Sequence, residues 1–170
     1  MRNILEAPSS RRRVDFLAAV ARSRTLHVPW AMPPSTEKAF AEYLARIRKP
    51  TNAGYWVRTE TGELAGAITI SEIVRGTFRS AYLGYYAFAP HHHRGYMTLG
   101  LQAVVGRVFG ELRLHRLEAN IQPDNIASRR LVRRLGFRKE GLSPRYLKVR
   151  GRWRDHERWA LTVEDWRGRS

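Results

Sequence analysis

Three stretches of strand character, residues 55–58, 64–70 and 80–88, follow one another with no helical segment between them. That feature constrains the fold most. Strands joined by short turns run antiparallel, whereas parallel strands need a long crossover. The chain therefore cannot consist only of strand-helix-strand units. Residues 59–63, with Gly62, supply a turn, and the aromatic-rich third stretch ends at Ala89-Pro90. Beyond it the period changes. A helix is predicted over 98–112 with Leu101, Val104, Val105 and Val108 inward. A strand follows over 117–121, then a helix over 126–135 closed by Gly136. A last hairpin joins 146–149 to 153–162 through Arg150, Gly151 and Arg152.

Upstream, residues 14–24 read as a helix with Val14, Leu17, Ala18 and Ala21 on one face. Pro29, Pro33 and Pro34 break it. A second helix starts around Ser35–Lys38, with Ser35 three residues before Lys38 and Glu37 in its first turn. It carries Phe40, Tyr43, Leu44 and Ile47 and stops before Pro50. The order of elements predicts a mixed sheet of the α/β (α+β) class, not a doubly wound one.

At 170 residues the chain is expected to be one domain, 1–170. It has no cysteine, which excludes disulfides, thiolate metal sites and a sulfur nucleophile. The apolar run 16–21 is far too short for a membrane span. The N-terminal residues lack a signal-type apolar core, so a cytoplasmic protein is expected. The formal net charge is +16, and all but four of the 31 basic residues are arginine. Guanidinium groups suit phosphate recognition. An anionic partner is one reading: a nucleotide cofactor, RNA or an acidic protein. A compositional bias without a site is the other, because net charge alone speaks to association, not to chemistry.

The segment from Tyr85 to Thr98 is strand, loop, helix. A loop feeding a helix N-terminus aims free N–H groups and the positive dipole end at one spot, which favours an anion. Arg94 adds charge there, and Gly95 permits close backbone approach. An ordinary strand-to-helix turn is the plain alternative. His91, His92 and His93 invite a metal reading. Adjacent loop residues rarely converge on one ion and no further ligand set joins them, so no metal site is expected.

Residues 114–141, with Asn125-x-x-Ser128 and Leu135-Gly136-Phe137, and the later Trp153-x-Asp155-His156, resemble the GNAT superfamily of acetyl-coenzyme A-dependent N-acetyltransferases. Within it the chain looks like the RimJ/RimL-type branch, which acetylates the N-terminal amine of ribosomal proteins. The resemblance implies a mixed, twisted sheet splayed in the middle, with about four flanking helices and acetyl-CoA in the gap. It implies that Tyr85, Tyr86, Ala87 and Phe88 meet the pantetheine arm through backbone groups, with an N–H near Tyr86 or Phe88 polarising the thioester. His93, Arg94, Gly95, Tyr96, Met97 and Thr98 would form the pyrophosphate loop. The family pattern there is Gln/Arg-x-x-Gly-x-Gly/Ala. His92 stands in the first slot and Met97 in the last, so the match is partial.

Asn125 matches the asparagine beside the pantetheine and also reads as a plain helix cap. Ser128 is the implied proton donor to the departing thiolate, or a surface serine bonding its own turn. The slot seven residues after Asn125, a tyrosine acid in related enzymes, holds Val132. Glu118 is the candidate base, acting through water, or a strand carboxylate paired with an arginine. Trp30, Asp155 and His156 are assigned to the acceptor side, with hairpin salt-bridging the alternative for the last two. The implied acceptor is the N-terminal alanine amine of a ribosomal protein, with contact to rRNA, no membrane, and a monomer or homodimer. A small-molecule amine is the alternative acceptor, and a non-catalytic module binding acyl-CoA or RNA the alternative class. A polycationic acceptor conflicts with the +16 charge.

Overall fold

The computed structural model describes residues 4–167. Seven strands form one sheet in the order β1-β2-β3-β4-β5-β7-β6. They are β1 Leu5–Glu6, β2 Ala53–Arg58, β3 Leu64–Val74, β4 Ser80–Ala87, β5 Arg116–Ile121, β6 Arg138–Val149 and β7 Arg152–Thr162. The helices are α1 Arg13–Arg22, α2 Arg24–His27, α3 Glu37–Ile47, α4 Tyr96–Gly110, α5 Ile126–Arg134 and α6 Val163–Arg167. α1, α3, α4 and α5 are the long ones, and α2 and α6 are single turns. Every pairing is antiparallel except β4 with β5, so the sheet is mixed. No helix among the described residues is long and apolar enough to cross a membrane.

Two apolar cores lie on opposite faces. One joins α4 to β2–β5 and β7 through Val57, Ile68, Leu101, Val104, Leu117 and Trp159. α4 sits low because Gly100 has no side chain: a Cβ there would meet Val57 Cγ2 at 2.5 Å. Gly66 on β3 likewise makes room for Met97 Sδ. The other core joins α1 and α3 to Trp56, Ala67 and Phe88. α3 buries Phe40, Tyr43, Leu44 and Ile47, the three-and-four spacing of a single helical stripe. Tyr43 accepts a hydrogen bond from Trp56 Nε1 at 3.1 Å, which pairs two buried polar atoms of that core.

Several details differ from the sequence expectation. α1 buries Phe16, Ala19 and Val20, and leaves Val14 72% exposed. The buried stripe is thus rotated from the expected one, because the stacked rings of Tyr43 and Trp56 claim Phe16. Thr36, not Ser35, caps α3; its hydroxyl accepts from Ala39 N at 3.1 Å. β1 was not expected, and β6 starts at Arg138 rather than at residue 146. Both are edge strands of the sheet, where half of the backbone groups face solvent and the side-chain pattern is weak. α5 ends as its glycine predicts. Gly136 takes φ 96°, its N–H donates to Arg133 O, and Phe137 N–H donates to Val132 O, the pair of bonds of a Schellman end.

The pairing that matters for function is the parallel one. β4 and β5 match only at Ser80↔Arg116, Ala81↔Leu117 and Tyr82↔Glu118, and then part. β4 stays on β3 down to Gly66↔Ala87, and β5 stays on β7 to Ile121↔Glu157. The sheet is therefore split in its middle.

Candidate active site

A cavity of about 490 Å³ lies beside that split. β4 lines it with Tyr85, Tyr86 and Ala87, the loop into α4 with His91, His92, His93 and Gly95, and the first turn of α4 with Tyr96, Met97 and Thr98. α5 adds Asn125, Ser128, Arg130 and Arg134, and the α2 region adds His27, Trp30 and Ala31. No carboxylate among the described residues lines it.

Ladder parity decides what β4 offers. Phe88 N–H donates to Ala65 O on β3 at 2.8 Å. Bonded pairs in an antiparallel ladder recur every second residue. Tyr86, opposite Ala67, therefore also turns its N–H to β3. The N–H groups of Tyr85 and Ala87 point the other way, across the split. The N–H groups of Tyr86 and Phe88 themselves are taken up by β3, so of the groups near them it is those of Tyr85 and Ala87 that face the split. Phe88 is fully buried in the α1/α3 core and does not line the cavity.

The side chains alternate as the backbone does. The Tyr85 phenol reaches Ser128 Oγ at 2.5 Å. Burial pushes its pKa up to about 12, against the opposing pull of the Ser128 hydrogen bond, so the phenol holds its proton throughout the neutral range. Burial raises Tyr86 further. Asn125 caps α5, with Oδ1 accepting from Ser128 N at 3.2 Å. That bond fixes the first turn and hence the Ser128 hydroxyl.

Gly95 is the N-cap of α4 at φ 87°, a left-handed geometry that suits glycine. The first helical bond runs from Leu99 N to Gly95 O, which leaves the amides of residues 96–98 without intrahelical acceptors. His93 also takes a positive φ, 62°. Both ring nitrogens of His91 and Nδ1 of His92 are buried without a hydrogen-bond partner; His91 Nε2 lies 3.7 Å from Glu63. Ring nitrogens without a hydrogen-bond partner, one of them a donor on each imidazole, suit the oxygens of an anion. Among the described residues, no group of three or more His, Cys, Asp or Glu could hold a metal ion.

The remaining predicted residues lie outside the cavity lining. Arg94 flanks it on the loop. Glu118 stands at the last paired position before the split, with Oε1 taking Arg116 Nε at 2.7 Å. Arg116 also binds Glu140, which together with the Glu118 contact raises the guanidinium pKa against burial and lowers that of Glu140. Asp155 Oδ1 accepts from Arg145 N at 2.7 Å. His156 is buried beside Tyr146, with Nδ1 2.9 Å from Arg154 O. Of the three acceptor-side residues, only Trp30 reaches the cavity.

Two features escaped the sequence reading. His27 is buried, and its Nε2 donates to Ala87 O at 2.7 Å. Since a carbonyl only accepts, the proton sits on Nε2. Burial first, and Arg150 as well, lower its pKa against the raising effect of that bond. Its partner is 60 residues away in sequence, so no local signal marks it. Arg130 and Arg134 both face the cavity, and their i,i+4 spacing on α5 was the available signal.

A family model described as an acetyltransferase (GNAT) domain matches residues 2–138. The probable N-acetyltransferase YjcK of Bacillus subtilis (strain 168) is 34% identical over 129 residues, 75% of this chain and 71% of the relative. The [ribosomal protein uS5]-alanine N-acetyltransferase of Escherichia coli (strain K12) is 40% identical over 104 residues, 61% of this chain and 54% of the relative. The alignment thus spans about half of that enzyme. The structure of Mycobacterium smegmatis RimJ in complex with CoA-disulfide matches with a TM-score of 0.86 at 29% identity, over 95% of this chain and 82% of that one. Spermidine N-acetyltransferase from Vibrio cholerae, solved with CoA and spermine, shares the fold at a TM-score of 0.81 and 20% identity, over 95% and 96% of the two chains.

Proposed function

The chain belongs to the GNAT acetyltransferase family and is an N-acetyltransferase, and from that premise we propose that it moves acetyl from acetyl-CoA to the N-terminal alanine amine of a ribosomal protein. The observation that carries the reading is the split between β4 and β5 beside a carboxylate-free cavity. The likeness to an alanine N-acetyltransferase of a ribosomal protein supports the acceptor. We read residues 1–170 as one catalytic domain acting in the cytoplasm.

The residues present fit acetyl-CoA. The amides of Tyr96, Met97 and Thr98, with His91 and His92, receive the pyrophosphate; Arg94 adds charge beside them. The Tyr85 and Ala87 N–H groups meet the pantetheine arm and polarise the thioester carbonyl. Bound there, acetyl-CoA supplies an activated acyl group. Glu118, oriented by Arg116, takes one proton from the acceptor ammonium through a water. The free amine attacks the carbonyl carbon, the C–N bond forms, the C–S bond breaks, and the amine's second proton passes to solvent. Ser128 protonates the leaving thiolate, Tyr85 hands its phenol proton to Ser128, and the phenolate takes a proton back from solvent; the raised pKa keeps Tyr85 protonated between turnovers. The Tyr85 phenol, from β4, stands in for the tyrosine that Val132 displaces on α5.

Thiol release with an alanine-initiated peptide from a ribosomal-protein N-terminus tests this. Ser128→Ala should lower kcat about 100-fold and Tyr85→Phe about tenfold, with acetyl-CoA still bound. Binding of acetyl-CoA without acetylation of the peptide would replace the acceptor by a small-molecule amine.

A further inference from the structure

The outer end of the β6–β7 ladder adds no residue to the cavity lining. Its register is Leu147↔Arg154, Lys148↔Trp153 and Val149↔Arg152. Arg150 and Gly151 close it at φ 49° and 76°, the left-handed pair that tight hairpins require. Arg145, Lys148, Arg150, Arg152 and Arg154 are all exposed. None of the five takes part in an ion pair among the described residues. The one acid of this stretch, Asp155, is occupied by the Arg145 amide. Arg150 donates to Ala31 O at 3.3 Å and ties the tip to the loop after α2. Trp153 is 61% exposed, and Lys148 stands directly across from it on the same face.

A large ring in water beside an unpaired lysine, on a narrow hairpin whose other face carries Arg152 and Arg154, is an unusual use of tryptophan. Single-stranded nucleic acid satisfies both features at once: a base stacks on the ring while phosphates neutralise the cations. An acidic protein surface would neutralise the cations and leave the ring unused. We propose that the β6–β7 tip is a docking surface for single-stranded RNA. The choice of RNA over DNA rests on the proposed acceptor, a protein that lives on RNA. The binding itself does not depend on acetyl transfer.

The test is fluorescence anisotropy of the full chain with a labelled uridine-rich RNA of about 20 nucleotides, from 50 to 200 mM salt, a range in which phosphate contacts dominate the affinity. Trp153→Ala should weaken binding about fivefold or more. Lys148→Ala with Arg152→Ala should flatten the logarithmic salt slope by about 1.4, roughly 0.7 per lost contact on a single strand. Arg48→Ala with Lys49→Ala, an equal charge change just past the C-terminus of α3, should have a smaller effect. Equal loss in both pairs would reduce the binding to net charge and overturn the proposal. So would tighter binding of the matching DNA, equal competition by poly-glutamate with no effect of Trp153→Ala, or no binding. An increase in peptide KM from Trp153→Ala with RNA binding unchanged would make the hairpin a wall of the acceptor groove instead. Peptide acetylation, assayed separately, reports on the acetyl-transfer reading alone.

Discussion

Beneath α5 the buried carboxylate of Glu157 is held by Lys139 at 2.6 Å, Arg129 at 3.0 Å and Trp159 Nε1 at 3.1 Å. Arg133 lies over the Trp159 ring at 5.6 Å. Further out on the same hairpin, five cations meet no carboxylate among the described residues and a tryptophan lies open. One ladder thus carries a neutralised inner end and a bare outer end. At the inner end arginine is a structural part, a clamp that fixes α5 and with it Asn125 and Ser128. At the outer end it is surface charge free for a partner. Arginine content alone predicts neither; the neighbouring carboxylate decides.

Glu157→Gln should have the largest effect on this contrast. It leaves Arg129 and Lys139 facing a neutral, nearly enclosed amide and should cost about 2–3 kcal/mol, less than a fully buried pair because both cations are partly exposed. A drop in the urea midpoint checks it, and an unchanged midpoint would erase the distinction between the two ends. The same group gives a pH signature. Burial raises the Glu157 pKa, but Lys139, Trp159 and Arg129 outweigh that and hold it below the ordinary carboxylate value. A depressed folded pKa stabilises above the unfolded value and loses that contribution as pH falls through the folded one. The gap in urea midpoint between wild type and Glu157→Gln should therefore be full at pH 7 and shrink on acidification below about 4.3.

Asn125→Ala removes the α5 cap and should cost about 1 kcal/mol in the same assay. The smallest effect belongs to the tip: Lys148→Ser with Arg152→Ser should change stability by less than about 0.5 kcal/mol. A loss comparable to that of Glu157→Gln would show that the outer cations also hold the fold.

The elements that position the cavity were legible where the sequence pattern is strong. The inward stripe of α4, the Gly136 stop and the final hairpin follow from periodicity and turn chemistry. The Phe16 stripe of α1 was not legible, since Tyr43 and Trp56, far along the chain, choose its rotation. Nor was the choice between Tyr85 and Tyr86. Adjacent tyrosines on a strand look alike until the register with β3 assigns one phenol to Ser128 and the other to the opposite face. Glu118 was read with both outcomes open, and its contact with Arg116 could not be separated from a catalytic post by residue type. His27 was invisible because its bond to Ala87 is purely tertiary.

The parting of β4 from β5 gives the sheet an edge that lies inside the molecule. Outer edges invite foreign strands; this one faces its own cavity and is reached only by something narrow enough to enter. In deuterium exchange β4 becomes two populations within one strand. The Tyr86 amide, like that of Phe88 just past the strand, is locked to β3, while those of Tyr85 and Ala87 open to the split. A guest that fills the split acts as a missing strand, and its signature is the loss of that odd-even alternation.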